Sequence, residues 1–285
     1  MKKDDILRKY IKEFDASNKH SEIYKPIING HPYFIKVVGE NKKEHMKNEV
    51  KSIKELAKIF PMYRDYLIAF VEEKNNCALM LRYIDGEDLK TLFDYPLTEK
   101  DIICLYKMLL VKIKFFHDNN ITHGDIKPQN FISYVDEQDG IMKLKIIDTE
   151  TCVFYSKLKH IDDIKRLRSL YYYLPDNPRS TSFYKTKQEA FYYFRYLDNY
   201  SLACFILYLL KPDVYKMLRK NTYKEDDKNP WRFSETDMRT PYQYVNKKGG
   251  VLENALHYVF KQIPTEEQYD FLEEFDEDKL FNLLE

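Results

Sequence analysis

The sequence has few cysteines, no net charge and no long apolar run, and each lack excludes a class of protein. Only four cysteines occur among 285 residues. None forms a C-x-x-C pair, and their spacing suggests neither a disulfide framework nor a zinc site. Basic and acidic residues both number 46, so the formal net charge is zero. This balance argues against a general electrostatic affinity for nucleic acid or for an anionic membrane.

Apolar segments are present but short. The first residues lack the continuous apolar stretch of a signal peptide. The longest apolar run, residues 200–210, is too short to span a bilayer, which needs about 20 residues. We expect this run to form a buried helix and the protein to be cytoplasmic. With 44% hydrophobic residues, the chain can bury the core of one large domain or of two small lobes.

The first third of the sequence alternates between helical and extended patterns. Apolar residues recur at helical spacing over residues 4–14, which predicts an amphipathic helix. Asn29-Gly30 stands between two β-rich runs and predicts a hairpin. Helical periodicity returns over residues 43–59. Two further strands are predicted over residues 66–73 and 77–84.

The remainder reads as mainly helical. A long helix is predicted over residues 97–119, and a second hairpin is predicted from residues 131–135 and 142–148. From about residue 160 onward helical patterns dominate. The last residues, 264–285, predict an acidic amphipathic helix.

The order of these elements predicts the fold class. Strands with one helix come first and helices follow, which is typical of an α+β fold and not of βαβα alternation. The change falls near Asp85-Gly86. We therefore expect a β-rich lobe over residues 1–84 and a larger helical lobe over residues 85–285.

The segment HGDIKPQN, residues 123–130, carries the clearest chemical pattern. Moving a phosphoryl group requires a carboxylate that orients the incoming hydroxyl and accepts its proton, and Asp125 fits that role. Lys127 supplies a cation for the charge that develops on the phosphate. Asn130 and Asp148, the latter at the end of an apolar strand, offer oxygen ligands for Mg²⁺.

This pattern, H-x-D-x-K-P-x-N followed by a strand that ends in aspartate, resembles the catalytic loop and metal site of the eukaryotic-type protein kinases. Lys36 in YFIKVV resembles the strand lysine that pairs with ATP phosphates, and Glu49 resembles the helix glutamate that holds that lysine. Glu55 is a rival for the glutamate role. The segment LRYIDGEDL resembles the hinge between lobes. The resemblance implies that adenine faces the backbone of three residues: Arg82, Tyr83 and Ile84.

The resemblance covers roughly residues 20–215 and implies a bilobal protein-kinase-like fold that uses ATP and Mg²⁺. Asp198 resembles the aspartate that opens the large buried helix of the second lobe. Asp163 competes for that role, and we favour Asp198 because the run after it is apolar enough to be buried on all sides.

The sequence departs from the kinase pattern at the glycine-rich loop. Residues 15–21 stand in its place and contain no glycine, although glycines let backbone amides approach phosphates closely. Either the side chains of Ser17, Asn18 and Ser21 substitute, or the helix at 4–14 replaces the first strand.

Two further departures lie near the catalytic residues. Gly124 replaces the arginine that pairs with a phosphate on the activation loop of protein kinases, which suggests that this chain is not switched on in that way. Asp148-Thr149-Glu150 replaces the usual Asp-Phe-Gly. Glu150 either binds a second ion or faces solvent, and we favour solvent.

Three functions are compatible with these residues. The first is a divergent Ser/Thr protein kinase that phosphorylates a protein hydroxyl, which the Lys-Pro of the catalytic loop favours. The second is a kinase-fold enzyme acting on a sugar or small-molecule acceptor, since a glycine in HGD also resembles lipopolysaccharide core kinases and RIO-like kinases. The third is a pseudokinase that binds without turnover.

Overall fold

The computed structural model describes residues 2–15, 21–136, 139–161, 163–164, 186–214, 240–245, 249–261 and 275–285. The chain divides into two compact units. The first comprises Met1–Gly86 together with Asp148–Thr151, and the second comprises Glu87–Ile147 and Cys152–Glu285.

The first unit is built on an antiparallel sheet. Its strands are β1 (Ser21–Tyr24), β2 (Ile27–Ile28), β3 (His31–Gly39), β4 (Leu67–Glu72) and β5 (Asn76–Arg82). They lie in the order β1-β3-β5-β4, with β2 paired to β3. The predicted hairpin is confirmed, because Asn29 (φ 53°) and Gly30 (φ 79°) form the turn into β3. Two consecutive residues with positive φ match the turn that fits the twist of paired strands.

Two helices belong to the first unit, as the sequence predicts. Helix α1 (Lys3–Glu13) buries Ile6, Leu7 and Ile11 in a core that it shares with the sheet. Helix α2 (Lys43–Ile59) buries an apolar stripe at helical spacing: Met46, Val50, Ile53 and Leu56. In residues 2–15 the chain forms a helix and no strand, so β1 is the first strand of the described sheet.

The second unit is mainly helical and carries short strands. Strands β6 (Gly86–Asp88), β8 (Phe131–Val135) and β9 (Met142–Ile146) form one small sheet. Strands β7 (Ile121–Thr122) and β10 (Val153–Phe154) form another. The predicted second hairpin is confirmed by the pairing of β8 with β9.

One helix of the second unit begins and ends close to its predicted bounds, residues 97 and 119. Helix α3 (Glu99–His117) starts after Thr98, whose hydroxyl forms a capping box with Asp101. Helix α4 (Lys187–Leu210) is buried from Ala190 to Leu207 with few exceptions, which confirms that the apolar run at 200–210 lies in a buried helix. Helices α5 (Val251–Lys261) and α6 (Glu277–Asn282) follow.

Two predictions need correction. Asp198 does not open α4, because the helix begins at Lys187 with Thr186 as its cap, and Asp198 lies inside it. The predicted acidic helix over 264–285 is described only from residue 275, and within that part just α6 is helical. Residues 264–274 lie outside the described residues. No helix in the described part of the chain is long and apolar enough to cross a membrane.

Strands thus dominate the first unit and helices the second, as expected for a bilobal α+β fold.

Candidate active site

Lys36 lies in β3, where successive side chains point to opposite faces of the sheet. Its neighbours Ile35 and Val37 are buried in the core shared with α1. Lys36 itself donates a hydrogen bond of 2.9 Å from Nζ to Oε2 of Glu49 in α2. Glu55, the rival on the same helix, pairs instead with Lys58 at 2.9 Å. Of the two glutamates, the structure brings Glu49 to Lys36.

Two more carboxylates of the first unit lie near Lys36. Its Nζ is 3.9 Å from Oδ1 of Asp148 and 3.7 Å from Oε2 of Glu150. Oxygens of Glu49, Asp148 and Glu150 all lie within 4.8 Å of one another. Asp148 has φ 57°, in the left-handed region. This conformation is uncommon for residues other than glycine and marks constrained positions at functional sites.

The charges of this cluster act on each other. Burial alone would lower the pKa of Lys36, but Glu49, Asp148 and Glu150 outweigh it and raise the pKa well above its usual value. Lys36 therefore stays protonated at neutral pH. Burial raises the pKa of Glu49 to about 7, with Asp148 and Glu150 acting in the same direction and Lys36 against them.

Glu150 does not simply face solvent, so that interpretation of the sequence is wrong. Its side chain is 22% exposed and lies 3.8 Å from Nδ1 of His45 as well as near Lys36. Burial opposes ionisation of Glu150, but its interaction with His45 and the charge of Lys36 lower its pKa overall. His45 was missed in the sequence, because nothing in its local spacing indicates a contact with Glu150.

The residues predicted to form the catalytic loop come together in the second unit. Lys127 Nζ donates to Oδ2 of Asp125 at 2.6 Å. Asn130 Nδ2 donates to the backbone oxygen of Asp125 at 2.8 Å and to its Oδ2 at 3.0 Å. Oδ1 of Asp125 is buried and has no hydrogen-bond partner within the described part of the chain. Asp125 therefore has one oxygen held in place and one left to accept a further hydrogen bond.

Asp198 fixes the backbone just before Asp125. Its Oδ2 accepts a hydrogen bond from the backbone N–H of His123 at 2.7 Å, and its Oδ1 accepts one from Gly124 at 2.8 Å. Gly124 has φ 83°. A glycine adopts this conformation without the steric cost that a side chain would add. Asp163, the competing aspartate, accepts a hydrogen bond from the N–H of His160, and the chain after Ile164 lies outside the described residues until Thr186.

His117 and His123 are buried and hydrogen-bonded. His123 Nε2 lies 3.1 Å from the backbone oxygen of Ile147. His117 Nε2 lies 3.2 Å from Oδ2 of Asp198, and its Nδ1 lies 2.5 Å from Oε1 of Glu277. Burial alone would lower the pKa of His117, but Glu277 and Asp198 raise it to about 9. Glu277 was missed in the sequence, where it is one of many acids near the C-terminal end.

The predicted hinge residues lie at the end of β5. Arg82 is its last residue and pairs with Tyr33 of β3, while Lys36 pairs with Leu79. Leu79 and Arg82 are three residues apart along β5, which corresponds to roughly 10 Å, so the strand partner of Lys36 lies about that far from the first predicted hinge residue. Tyr83 and Ile84 follow and are half-buried.

Of the residues expected to replace the glycine-rich loop, Ser21 begins β1 and is exposed. Ser17 and Asn18 lie outside the described residues.

Comparisons with known proteins indicate the family of the chain. The family model of the protein kinase domain matches residues 20–274. The chain is 30% identical over 125 residues to serine/threonine-protein kinase CG17528 of Drosophila melanogaster. The aligned region covers 42% of this chain and 16% of that protein. It is 34% identical over 119 residues to human myosin light chain kinase family member 4, covering 40% and 29%.

Human myosin light chain kinase 3 is 30% identical over 122 residues, covering 40% of this chain and 14% of that protein. The matched region thus spans less than a third of each of these relatives. The family model, in contrast, covers most of this chain. Together with the placement of Asp125, Lys127 and Asn130, this match shows that the chain belongs to the protein kinase domain family.

Proposed function

We propose that this protein is an active phosphotransferase that moves the γ-phosphate of ATP to a Ser or Thr hydroxyl of a protein. One observation carries the proposal: the buried carboxylate of Asp125 has Oδ2 held by Lys127 and Asn130 and Oδ1 without a partner in the described residues. A buried polar oxygen is costly to leave unpaired, so such an atom points to a function.

Asp125 acts as the base in this proposal. Oδ1 accepts the hydrogen bond of the incoming hydroxyl and then its proton as the hydroxyl oxygen attacks the γ-phosphorus. The bond from the γ-phosphorus to the oxygen that bridges it to the β-phosphate breaks, and ADP leaves with that oxygen. Lys127 and Asn130 keep the carboxylate oriented, and this positioning supplies much of the catalysis of phosphoryl transfer. The ammonium of Lys127 also stabilises negative charge on the transferred group.

In the first unit, Lys36 binds the phosphates of ATP, and Glu49 orients it through their hydrogen bond. Lys36 keeps its proton because the surrounding carboxylates raise its pKa, so it can serve as a fixed cation. Backbone groups of residues 82–84 face adenine. We propose that residues 1–84 and 85–285 form the two lobes of the kinase fold.

Asp148 and Asn130 are the proposed ligands of Mg²⁺. The donor set fits this ion, because Mg²⁺ prefers carboxylate and carbonyl oxygens, and Asp148 lies in a cluster of three carboxylates. When bound, Mg²⁺ neutralises charge on the phosphates of ATP. Asn130 keeps its carbonyl oxygen for this purpose, since its hydrogen bonds to Asp125 are donated by Nδ2.

A protein acceptor is favoured over a sugar. The relatives that match are named as serine/threonine or myosin light chain kinases. The family model of the protein kinase domain matches residues 20–274 of this chain.

The acceptor can be tested directly. Purified protein is incubated with radiolabelled ATP and Mg²⁺, offered a mixture of acidic and basic proteins and, separately, a panel of sugars. We expect label on serine or threonine of protein. Label on a sugar would show that the acceptor is a sugar and not a protein. Binding of ATP without any transfer would identify a pseudokinase.

A further inference from the structure

A buried glutamate near the C-terminal end of the chain is joined to the histidine that ends α3. Asp276 caps helix α6 by accepting hydrogen bonds from the N–H groups of Asp278 and Lys279, which places Glu277 in the first turn. The Glu277 side chain is only 7% exposed, and its Oε1 lies 2.5 Å from Nδ1 of His117. Asn199 Nδ2 donates to the same oxygen at 2.6 Å.

From His117 the contacts continue to the catalytic loop. Its Nε2 meets Oδ2 of Asp198 at 3.2 Å. The two oxygens of Asp198 accept the backbone N–H groups of His123 and Gly124. An unbroken series of hydrogen bonds within the second unit therefore runs from α6 to the residue directly before Asp125.

Both ring nitrogens of His117 face carboxylate oxygens. A neutral imidazole carries one N–H and can donate to only one of them, so the doubly protonated ring fits this geometry. The resulting group has two negative charges, Asp198 and Glu277, around one positive charge. Arg195 from α4 and Lys114 from α3 act electrostatically on Glu277 from the neighbouring helices.

We propose that Glu277 is a positioning residue for the catalytic loop: through the charged ring of His117 it holds Asp198, and through Asp198 it fixes the backbone that orients Asp125. The role of Asp125 in this statement rests on the proposed kinase function. The series of contacts does not, because it is a property of the second unit alone.

Glu277 also belongs to a helix that packs by apolar contacts. Phe275, Leu280 and Leu284 are buried around it. If Glu277 served only this packing, its replacement would loosen the second unit evenly. A positioning role predicts a local effect at His123 and Gly124 and a loss of turnover without loss of ATP binding, since Lys36 lies in the first unit.

The first test compares Glu277→Gln with Glu277→Asp and with Asp278→Asn as the matched control. Asp278 is the next residue of α6, but its side chain is 74% exposed. For Glu277→Gln we expect kcat to fall about tenfold, the scale of losing a hydrogen bond to a charged group, with an unchanged KM for ATP. Glu277→Asp should recover part of kcat, and Asp278→Asn should match wild type.

Amide hydrogen exchange followed by NMR tests the series without any kinase assay. In Glu277→Gln the amides of His123 and Gly124 should exchange about tenfold faster than in wild type, while amides of β5 keep their rates. Equal acceleration throughout the second unit, or no change at His123 and Gly124, would overturn the proposal.

A double-mutant cycle tests whether Glu277 acts on the catalytic loop through His117. If Glu277 acts through His117, Glu277→Gln should add little to the exchange rates of His123 and Gly124 once His117→Gln is present. The NMR titration of His117 should also show a pKa at least one unit lower in Glu277→Gln. Full additivity of the two variants would contradict the route. An inactive wild-type protein with the expected exchange behaviour would refute the kinase function and leave the positioning series standing.

Discussion

In the first unit Lys36 meets three carboxylates in a partly exposed cluster, whereas in the second unit Asp198 is held by backbone N–H groups and a buried histidine. Lys36 is 20% and Asp148 31% exposed. Asp198 is 0% and His117 1% exposed. The first group can therefore exchange partners when a charged ligand arrives, while the second cannot do so without breaking buried contacts.

The difference in exposure between the two groups suits them to two different functions. Excess carboxylates around one lysine suit the binding of a cation, which offsets their charge, while the lysine ammonium suits a phosphate. A carboxylate saturated by backbone N–H groups suits the permanent positioning of a loop. Substitutions in the first group should change nucleotide binding, and those in the second should change turnover and stability.

The largest expected effect is that of Asp125→Ala, which should separate phosphoryl transfer from ATP binding. We expect the rate of phosphoryl transfer to fall by about 10²–10⁴, as is typical when a general base is removed. ATP affinity, for which we propose Lys36 of the first unit, should stay at its wild-type value. Initial rates and calorimetry check the two parts, with exposed Asp118→Ala as control. A variant as fast as wild type would show that Asp125 is not the base.

The buried histidine predicts how stability depends on pH. The pKa of His117 is raised from 6.5 in the unfolded chain to about 9 in the folded protein. Its contribution is therefore complete below pH 6.5 and lost as the pH rises toward 9. In urea unfolding over this interval, the free energy of unfolding of wild type should fall by at least about 1.4 kcal/mol more than that of Glu277→Gln, the equivalent of one unit of pKa. Parallel curves for the two proteins would refute the assignment.

Within the first unit, Glu49 and Glu150 form a matched pair. Glu49 bonds Lys36 at 2.9 Å and is 5% exposed, while Glu150 lies at 3.7 Å. Breaking a buried pair costs more than breaking a partly exposed one. Glu49→Gln should lower the free energy of unfolding by about 2 kcal/mol more than Glu150→Gln. Equal losses would mean that Glu150 shares the task of holding Lys36.

The proposed metal site is tested by Asp148→Asn, which would remove a charged ligand. Binding of ATP with Mg²⁺ should weaken by about tenfold, or 1.4 kcal/mol, and binding without Mg²⁺ should change little. Calorimetry with and without Mg²⁺ measures both, and Asp139→Asn in the second unit is the control. Normal binding of Mg-ATP by Asp148→Asn would place the ion elsewhere.

The smallest expected effect concerns phosphorylation of the segment between Asp148 and Asp198. Gly124 has no side chain to pair with a phosphate, and at φ 83° the position disfavours one. Activity should therefore be unchanged after phosphatase treatment, checked by mass spectrometry and initial rates. Candidate acceptors such as Ser180 and Tyr184 lie outside the described residues. A tenfold loss of rate that rephosphorylation reverses would contradict the prediction.

Features set by neighbouring residues were predictable from the sequence. The Asn29-Gly30 turn follows from two residues that tolerate positive φ, and the buried stripe of α2 follows from apolar spacing. Asp125, Lys127 and Asn130 lie within six residues, so a loop of almost any shape keeps them close. Their chemistry could therefore be inferred before the structure.

Contacts between distant residues were decided by the tertiary structure alone. In the sequence Glu55 rivals Glu49 as the partner of Lys36, and the packing of α2 brings Glu49 to it. Glu277 and His117 are separated by 160 residues. No periodicity links them, because their meeting depends on which faces of α3, α4 and α6 pack together. The sequence by itself determined which residues can carry the chemistry, and packing determined which buried charges hold those residues in place.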